Sequence, residues 1–526
     1  MRLGIIDIGS NSIRLVLYEI LEGSYRVIGQ VKRSARLGSG MVNGEIDRNR
    51  IEYALSVLKG FKSYLDTRDT QEIIVVATEA VRKARNKQGF LSAAKIALGR
   101  EIRVLSGEEE AFYDYYATVN TLDLRDCLMV DIGGSSMEIV HIENRILQDS
   151  ISLPFGAITL TEKFGLKSSL RRESDLVSYL KQMYGDIPWL KNAQNLPVVG
   201  IGGSVRTMGK IDRYRKDYAM FIAHNYSLDY KDVDEIYALV KAYLQDSSKK
   251  IYGLGKDRED IFIGSVAAIE TLMETIGSRK IYVSGAGVRD GLLFEYLLGG
   301  KKKIKNVLEF SLENIIRLHM YKGYEGKELF AHARVMYTEL CKKYPYMLGQ
   351  GKVLKTATYL YDLGTSLNYY QRDRNTFYNI LNSPINGISQ KQILMAASAA
   401  TLNSNNDLLR EFFNKKVLTT RDIGLIEKLG ILVKIAEALN LGKLRSTKIL
   451  DVEFTEKAML LNVEVSEDPM FKREDLGYLT YSFRRIYGID LKINFIMASP
   501  AEKPSPPQRR PSRGRLPQKP SSVPEE

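Results

Sequence analysis

The stretch "CLMVDIGGSSMEIVHI" (127–142) decides how this chain folds. An apolar run ends at Asp131, a Gly/Ser turn follows, and a second run with alternating apolar residues begins. Nearly the same shape stands at "LGIIDIGSNSIRLVLYEI" (3–20), around Asp7. A dinucleotide-binding loop or a Walker loop leads from its glycines into a helix. Here each turn leads into another strand, which excludes both. A Gly-rich hairpin turn presents backbone N–H groups and hydroxyls in a concave nest that suits phosphate oxygens. The aspartate beside it can hold Mg²⁺, directly or through water. One Asp-x-Gly turn carries little weight, because both residues favour turns. Two copies in matching context predict two lobes that grip a phosphate chain from opposite sides.

Working outward, residues 1–298 alternate strand-like and helix-like runs, the signature of an α/β fold. Strands are predicted at 3–7, 13–20, 26–33, 73–77, 102–105, 127–131, 137–142, 197–201 and 280–284. Helices are predicted at 48–66, 88–98, 108–120, 232–246 and 261–276. The stretch "LLGGKKKIKN" (297–306) marks a boundary, beyond which 306–440 reads as successive helices. Strands return at 448–464 and 490–496 around a helix at 473–486. The organisation is therefore a first lobe at 1–122, a second at 123–298, a helical domain at 299–440 and a small α+β domain at 441–498. The last 28 residues hold eight of the fourteen prolines and almost no large apolar side chain, so 499–526 is expected to be a disordered tail.

With 526 residues the chain is long enough for several cores, and no charge-free run of 18 residues suggests a membrane span. Two distant cysteines, Cys127 and Cys341, form no disulfide framework or zinc site and suit a reducing cytoplasm. The net charge of +13 calls for an anionic partner, without choosing among nucleic acid, acidic membrane and polyphosphorylated substrate.

The paired loops resemble those of the sugar kinase/Hsp70/actin superfamily. More finely, the chain resembles the exopolyphosphatase/guanosine pentaphosphate phosphohydrolase (Ppx/GppA) family. Six motifs in family order carry that resemblance: "IDIGSNSIRLVL" (6–17), "ATEAVRKARN" (77–86), "LSGEEEA" (105–111), "VDIGGSSMEIV" (130–140), "GIGGSVRTM" (200–208) and "VSGAGVRDGLL" (283–293). The resemblance implies two actin-like (ribonuclease H-like) lobes, a divalent cation such as Mg²⁺, and a cytoplasmic homodimer. Its implied partner is inorganic polyphosphate, with guanosine penta- or tetraphosphate as a further substrate or inhibitor; neither a membrane nor a specific nucleic acid is expected.

Ser106 and Glu109 form a capping box, and acidic residues suit a helix N-terminus, so Glu108 and Glu109 are explained by structure alone. Glu110 matches the family's catalytic carboxylate and is the expected general base. Asp131 and Glu138, seven residues apart across a turn, match its metal-linked carboxylates, with Asp7 a further candidate. Ser10, Asn11, Ser12, Gly133, Gly134 and Ser135 are expected to donate to phosphate, with Gly203 and Ser204 as a third loop. Arg14, Arg82 and Arg289 sit at motif positions, and the guanidinium binds phosphate bidentately.

Two departures stand out. The family's second loop usually reads Asp-x-Gly-Gly-Gly-Ser, and here Ser135 replaces the third glycine. If that position needs a positive φ the serine strains the turn; otherwise its hydroxyl adds a donor. The segment "YLYDLGTSLNYYQRDRNTFYNILN" (359–382) resembles an HD-type metal phosphohydrolase site, but Tyr361 precedes Asp362, and Arg372, Asp373 and Asn375 stand where histidines belong. The four histidines, His141, His224, His319 and His332, are not paired at ligand spacing, which predicts an HD-like domain that has lost its metal. The expected activity is exopolyphosphatase; the rivals are guanosine pentaphosphate hydrolysis, a non-catalytic sensor of polyphosphate or guanosine tetraphosphate, and an ATP-dependent kinase or chaperone.

Overall fold

Strand β1 (Arg2–Ile8) is buried on both faces, which is why its apolar run is nearly unbroken. In this computed structural model it is central to the first sheet, with β2 (Ile13–Leu21) and β3 (Ser24–Arg33) antiparallel on one side. On the other side β4 (Glu72–Ala77) and β5 (Arg103–Val104) run parallel, giving the order β3-β2-β1-β4-β5. Helices α1 (Arg48–Asp66), α2 (Glu79–Lys83) and α3 (Lys87–Leu98) follow the strands, and α4 (Gly107–Thr121) leads to the second lobe. The structure describes residues 1–498 except 167–169, 221, 247–249, 321–323, 403–409, 411, 414, 416 and 442–446. The expected disordered tail lies outside the described residues.

The second sheet repeats the first. Strands β6 (Cys127–Ile132), β7 (Met137–Glu143) and β8 (Ile146–Leu153) form the antiparallel half. β9 (Val198–Ile201) and β11 (Lys280–Val283) run parallel to β6, and β10 (Tyr226–Asp229) adds an antiparallel edge. Helices α5 (Ala157–Lys163), α6 (Glu173–Gly185), α7 (Gly202–Arg215), α8 (Tyr230–Gln245), α9 (Phe262–Thr275) and α10 (Val288–Leu297) complete the lobe. Strand β8 is not predicted by its sequence, because Gln148, Asp149, Ser150 and Ser152 interrupt the apolar run. It forms because β7 offers it a paired edge.

Helices α4 and α10 exchange places between the lobes. Ala111, Tyr115 and Val119 of α4 pack against Met129, Val140 and Val199 of the second sheet. Leu292 and Leu293 of α10 pack against Leu3, Ile5 and Val16 of the first. Burying each such leucine contributes roughly 1.5–3 kcal/mol, so the crossing ties the lobes together. The helices cross at Gly291, where any Cβ would overlap the Tyr113 carbonyl.

Helices α12 (Gly326–Lys343), α13 (Gly351–Tyr359) and α15 (Gln390–Ala400) pack around α16 (Thr420–Leu439), with α11 (Val307–His319) against α13 and α14 (Arg372–Asn382) against α15. Helix α16 is apolar nearly all round, as a central helix must be. Strands β12 (Thr447–Phe454), β13 (Ala458–Val465) and β14 (Asp490–Met497) with α17 (Met470–Tyr487) share one core with these helices. The helical part touches both lobes. Asn314 of α11 exchanges hydrogen bonds with the Tyr25 backbone at 2.8 and 3.0 Å, and Gln390 donates to the Ile222 and His224 carbonyls at 2.6 and 3.1 Å. No helix among the described residues is long and apolar enough to cross a membrane.

Candidate active site

The two hairpin turns close with the same hydrogen bond, Gly9 N–H to the Ser12 carbonyl at 3.1 Å and Gly133 N–H to the Ser136 carbonyl at 3.0 Å. In the first loop the carbonyls of Ser10 and Asn11 accept from Gly38 and Arg36, at 2.9 and 3.0 Å. In the second the carbonyls of Gly133 and Gly134 accept from Ala157 and Ile158 at the start of α5, at 2.9 and 2.8 Å. The outer carbonyls are thus satisfied by neighbouring segments. The loops meet where a Cβ on Gly134 would lie 3.1 Å from Ser10 Cβ. Between them lies a cavity of about 130 Å³ whose wall includes Ser10, Asn11, Ser12, Gly133 and Gly134. Both polar atoms of the Asn11 amide are buried there without a partner. Orphaned polar groups of that kind call for a ligand.

A set of carboxylates stands beside the cavity: Glu110 and Asp131 line it, while Glu138 and Asp114 are not in its wall. Asp131 and Glu138 are cross-strand partners on β6 and β7, and Ser152 of β8 donates to Glu138 at 2.8 Å. Glu110 enters from the first turn of α4, with Asp114 one turn further along the same helix face. Burial pushes all four upward. Glu138 rises to about 8, from burial and then from Asp131. Glu110 rises well above the ordinary range, from burial and then Glu138, with Arg82 opposing. Asp114 rises in the same way, from burial and then Asp131 and Glu110. Asp131 rises less freely, because Arg206 opposes its burial, and its Oδ1 has no hydrogen-bond partner. Four carboxyl groups this close cannot all carry charge without a cation beside them.

Four arginines share the same wall. Arg14, Arg206, Arg258 and Arg289 line the cavity and also a more open space of about 490 Å³ outside it, which continues to Lys32 and Lys210. Burial lowers Arg206 to about 10, helped by Arg14 and Arg289. Arg14 is lowered by burial and then Arg289, and Arg258 by burial. These three stay charged at neutral pH. Among the described residues the quartet makes one ion pair, from Arg289 Nε to Asp7 Oδ2 at 3.9 Å. Burial raises Asp7, while Arg289 and Arg14 hold it down. Helices α7 and α10 add their N-terminal turns, through Gly202, Gly203, Gly287 and Val288.

Some expected residues stand elsewhere. Arg82 does not line the cavity: its guanidinium donates to Glu110 Oε2 at 3.2 Å, to the Leu105 carbonyl at 2.6 Å and to Glu79. Ser204 lies inside α7 and not in a loop, and its hydroxyl is buried 2.9 Å from that of Ser265. Ser135 turns toward Gly38, while Ser136 faces the cavity. Its φ is not positive, so the serine does not strain the turn. Arg206, Arg258 and Asp114 are not singled out by the sequence reading. Arg206 sits in the quoted "GIGGSVRTM", and Asp114 follows Glu110 by one helical turn, so both had a signal. Arg258 had none, because ion pairs to the first lobe place it: Lys32 to Asp257 at 2.8 Å and Arg36 to Asp260 at 3.0 Å.

Among the described residues no three His, Cys, Asp or Glu side chains are grouped to enclose a metal ion. In the helical part Asp362 is bound instead by Thr365 and faces Arg372 at 3.6 Å, and Arg372 also pairs with Glu437 at 2.9 Å. His141 stacks on Trp189, His224 is buried against Gly285 and Thr121, and His332 faces the Thr447 carbonyl at 3.2 Å.

Two lobes of like topology, with carboxylates and arginines in the wall of one cavity between their hairpin turns, define a phosphate-handling protein of the actin-like class. Residues 16–299 match the model of the Ppx/GppA phosphatase family, and this chain belongs to that family. It is similar to guanosine-5'-triphosphate,3'-diphosphate pyrophosphatases. The one from Pseudoalteromonas translucida (strain TAC 125) is 24% identical over 473 residues, 88% of this chain and 92% of that protein. The one from Pseudoalteromonas atlantica (strain T6c / ATCC BAA-1087) is 24% identical over 461 residues, 83% of this chain and 86% of that protein. The solved structure of an exopolyphosphatase from Cytophaga hutchinsonii shares the fold, with a TM-score of 0.53 and 22% identity over 57% of this chain and 99% of that one.

Proposed function

We propose that the protein is an exopolyphosphatase, releasing the terminal phosphate of linear inorganic polyphosphate. The observation that carries this reading is the arginine quartet, three of whose buried guanidiniums have no ion-pair partner among the described residues. Buried cations left without anions are costly, and a chain of phosphates leading out of the cavity answers them one by one. The terminal phosphoryl group sits between the two loops. Glu110 takes a proton from water as its oxygen attacks phosphorus in line, and the bridging P–O bond breaks on the far side. Orthophosphate leaves, and the negative charge on the shortened chain stays among the arginines. Phosphoryl transfer of this kind rests on positioning and charge neutralisation.

The carboxylates fit a hard divalent cation such as Mg²⁺, which takes one or two of them and completes its shell with water and phosphate oxygens. Asp131 and Glu138 would hold it, with Asp7 on the opposite loop, and it would neutralise phosphate charge. Arg82 fixes Glu110 in place. The helical part is read as an HD-like domain without its metal, in which Arg372 supplies the positive charge; it extends the substrate path and joins two copies into a dimer.

A second reading is hydrolysis of guanosine pentaphosphate to the tetraphosphate, favoured by the relatives of that name, which match 88% and 83% of the chain. Competitive hydrolysis decides between the two. A higher kcat/KM for long-chain polyphosphate supports the first, and a higher value for the nucleotide supports the second.

A further inference from the structure

The outward face of α17 carries three large aromatic rings that stand clear of the other described residues. Phe471, Tyr478 and Tyr481 are 72%, 81% and 77% exposed. Steps of seven and three residues set them on one stripe of the helix, about 15 Å long at roughly 1.5 Å of rise per residue. The opposite face, with Leu476, Phe483 and Tyr487, is already buried in the core of the helical part. Single exposed apolar residues need no explanation, but three rings in a row on one helix mark a docking face. Glu474 and Asp475 are exposed on the same side and give it negative charge.

The chain itself supplies a segment of complementary chemistry. Ala498 N–H donates to the Val465 carbonyl at 2.8 Å, shortly before Met470 opens α17. At the same end of the helix the Arg473 guanidinium lies 5.0 Å from the centroid of the Phe495 ring of β14. The chain therefore leaves the α+β part beside the start of the aromatic stripe, with 28 residues still to run. Residues 503–520 hold four arginines, two lysines and no carboxylate, together with two Pro-x-x-P sequences at 504–507 and 517–520. Proline-rich segments of that form dock among aromatic rings as a polyproline II helix, which is stiff beforehand and loses little freedom on binding. Arginine adds attraction to the faces of tyrosine rings and to neighbouring carboxylates. The lengths agree. At about 3.1 Å per residue, roughly five residues of such a helix cover the stripe. The stretch 499–503 reaches about 17 Å when extended, enough to bring Pro504 onto it.

We infer that the proline- and arginine-rich segment 503–520 docks along the aromatic stripe of α17 in its own chain. The inference is independent of what the catalytic cavity hydrolyses. It makes the stripe an internal docking face, closed to other molecules while the segment is seated.

The test is limited trypsin digestion of the full chain, with cleavage after Arg509 and Arg513 followed by mass spectrometry. The wild type is compared with the triple variant Phe471→Ser, Tyr478→Ser and Tyr481→Ser, in which the lost rings are exposed ones and the core is untouched. Cleavage follows the fraction of time the segment is undocked, and it is expected to be fivefold or more faster in the variant. Equal rates would overturn the docking. Glu474→Lys with Asp475→Lys keeps the rings and reverses the charge beside them. It too is expected to speed cleavage, by twofold or more, and an unchanged rate would contradict the pairing of charges. Dilution distinguishes one chain from two. Protection that is constant on dilution supports docking within the chain, and protection that is lost on dilution would give the stripe to a second copy and overturn the inference.

Discussion

Arg14 and Glu138 occupy the same place in two copies of one hairpin. Arg14 is the cross-strand partner of Asp7 on β1 and β2, and Glu138 is the cross-strand partner of Asp131 on β6 and β7. One lobe therefore sets a cation beside its aspartate where the other sets a second carboxylate. Two like lobes become an unlike pair, which the proposed function reads as one side for phosphate oxygens and the other for a metal ion and attacking water. The repeat that opens the sequence is a repeat of geometry with divided chemistry.

That division predicts different defects on the two sides. Arg14→Ala removes charge-assisted contacts worth about 1.5–3 kcal/mol to a phosphate chain. The KM for polyphosphate is expected to rise roughly tenfold to a hundredfold, and its salt dependence to weaken. An unchanged KM with a depressed kcat would place Arg14 outside the binding path.

Arg82 touches Glu110 and lies outside the cavity wall, so in the proposed mechanism it acts on the base and not on the substrate. It opposes the burial that raises Glu110. In Arg82→Gln the carboxylate is protonated up to a higher pH, and a base must be deprotonated to work. The acid limb of the kcat profile is therefore expected to move to higher pH, with activity partly recovered at alkaline pH. A loss that is uniform across pH would mean that Arg82 binds phosphate after all.

Burial holds the His224 imidazole down to about 4, with Gly285 N–H donating to Nδ1 at 3.0 Å. The unfolded chain takes up this proton near 6.5, before the folded protein does. Stability from this residue is therefore full above about 6.5 and is lost as pH falls toward 4, by at most roughly 3 kcal/mol. Thermal unfolding of wild type and His224→Gln between pH 7 and pH 4 checks this. The variant is expected to show a shallower acid slope, and parallel slopes would contradict it.

Ser135 was the residue for which the sequence posed a question without an answer. Its backbone needs no positive φ and its hydroxyl faces Gly38. Ser135→Gly is thus expected to leave activity within about threefold and to lower stability slightly, by increasing the freedom of the unfolded chain. A large gain in phosphate release would show that the serine had been distorting the loop.

Much of the candidate site's geometry is legible because it is local. The turns around Ser10–Ser12 and Gly133–Gly134, and the seven-residue step from Asp131 to Glu138, lie within single hairpins whose alternation can be read directly. The contact of Arg82 with Glu110 was not legible, because it joins two elements distant in sequence. Gly203 and Ser204 read as a loop because Gly202 and Gly203 are poor helix formers, yet α7 begins there and turns Ser204 inward. Arg258 was invisible, since only the pairing of its neighbours with Lys32 and Arg36 brings it to the cavity.

The most direct measurement is phosphate release from long-chain polyphosphate with Mg²⁺, comparing wild type with Glu110→Gln at matched folding. Loss of a positioned general base typically costs about a hundredfold to ten-thousandfold, and a fall of that size is the expected result. Phosphate release that survives in Glu110→Gln would contradict the account and move the base to another carboxylate of the cluster.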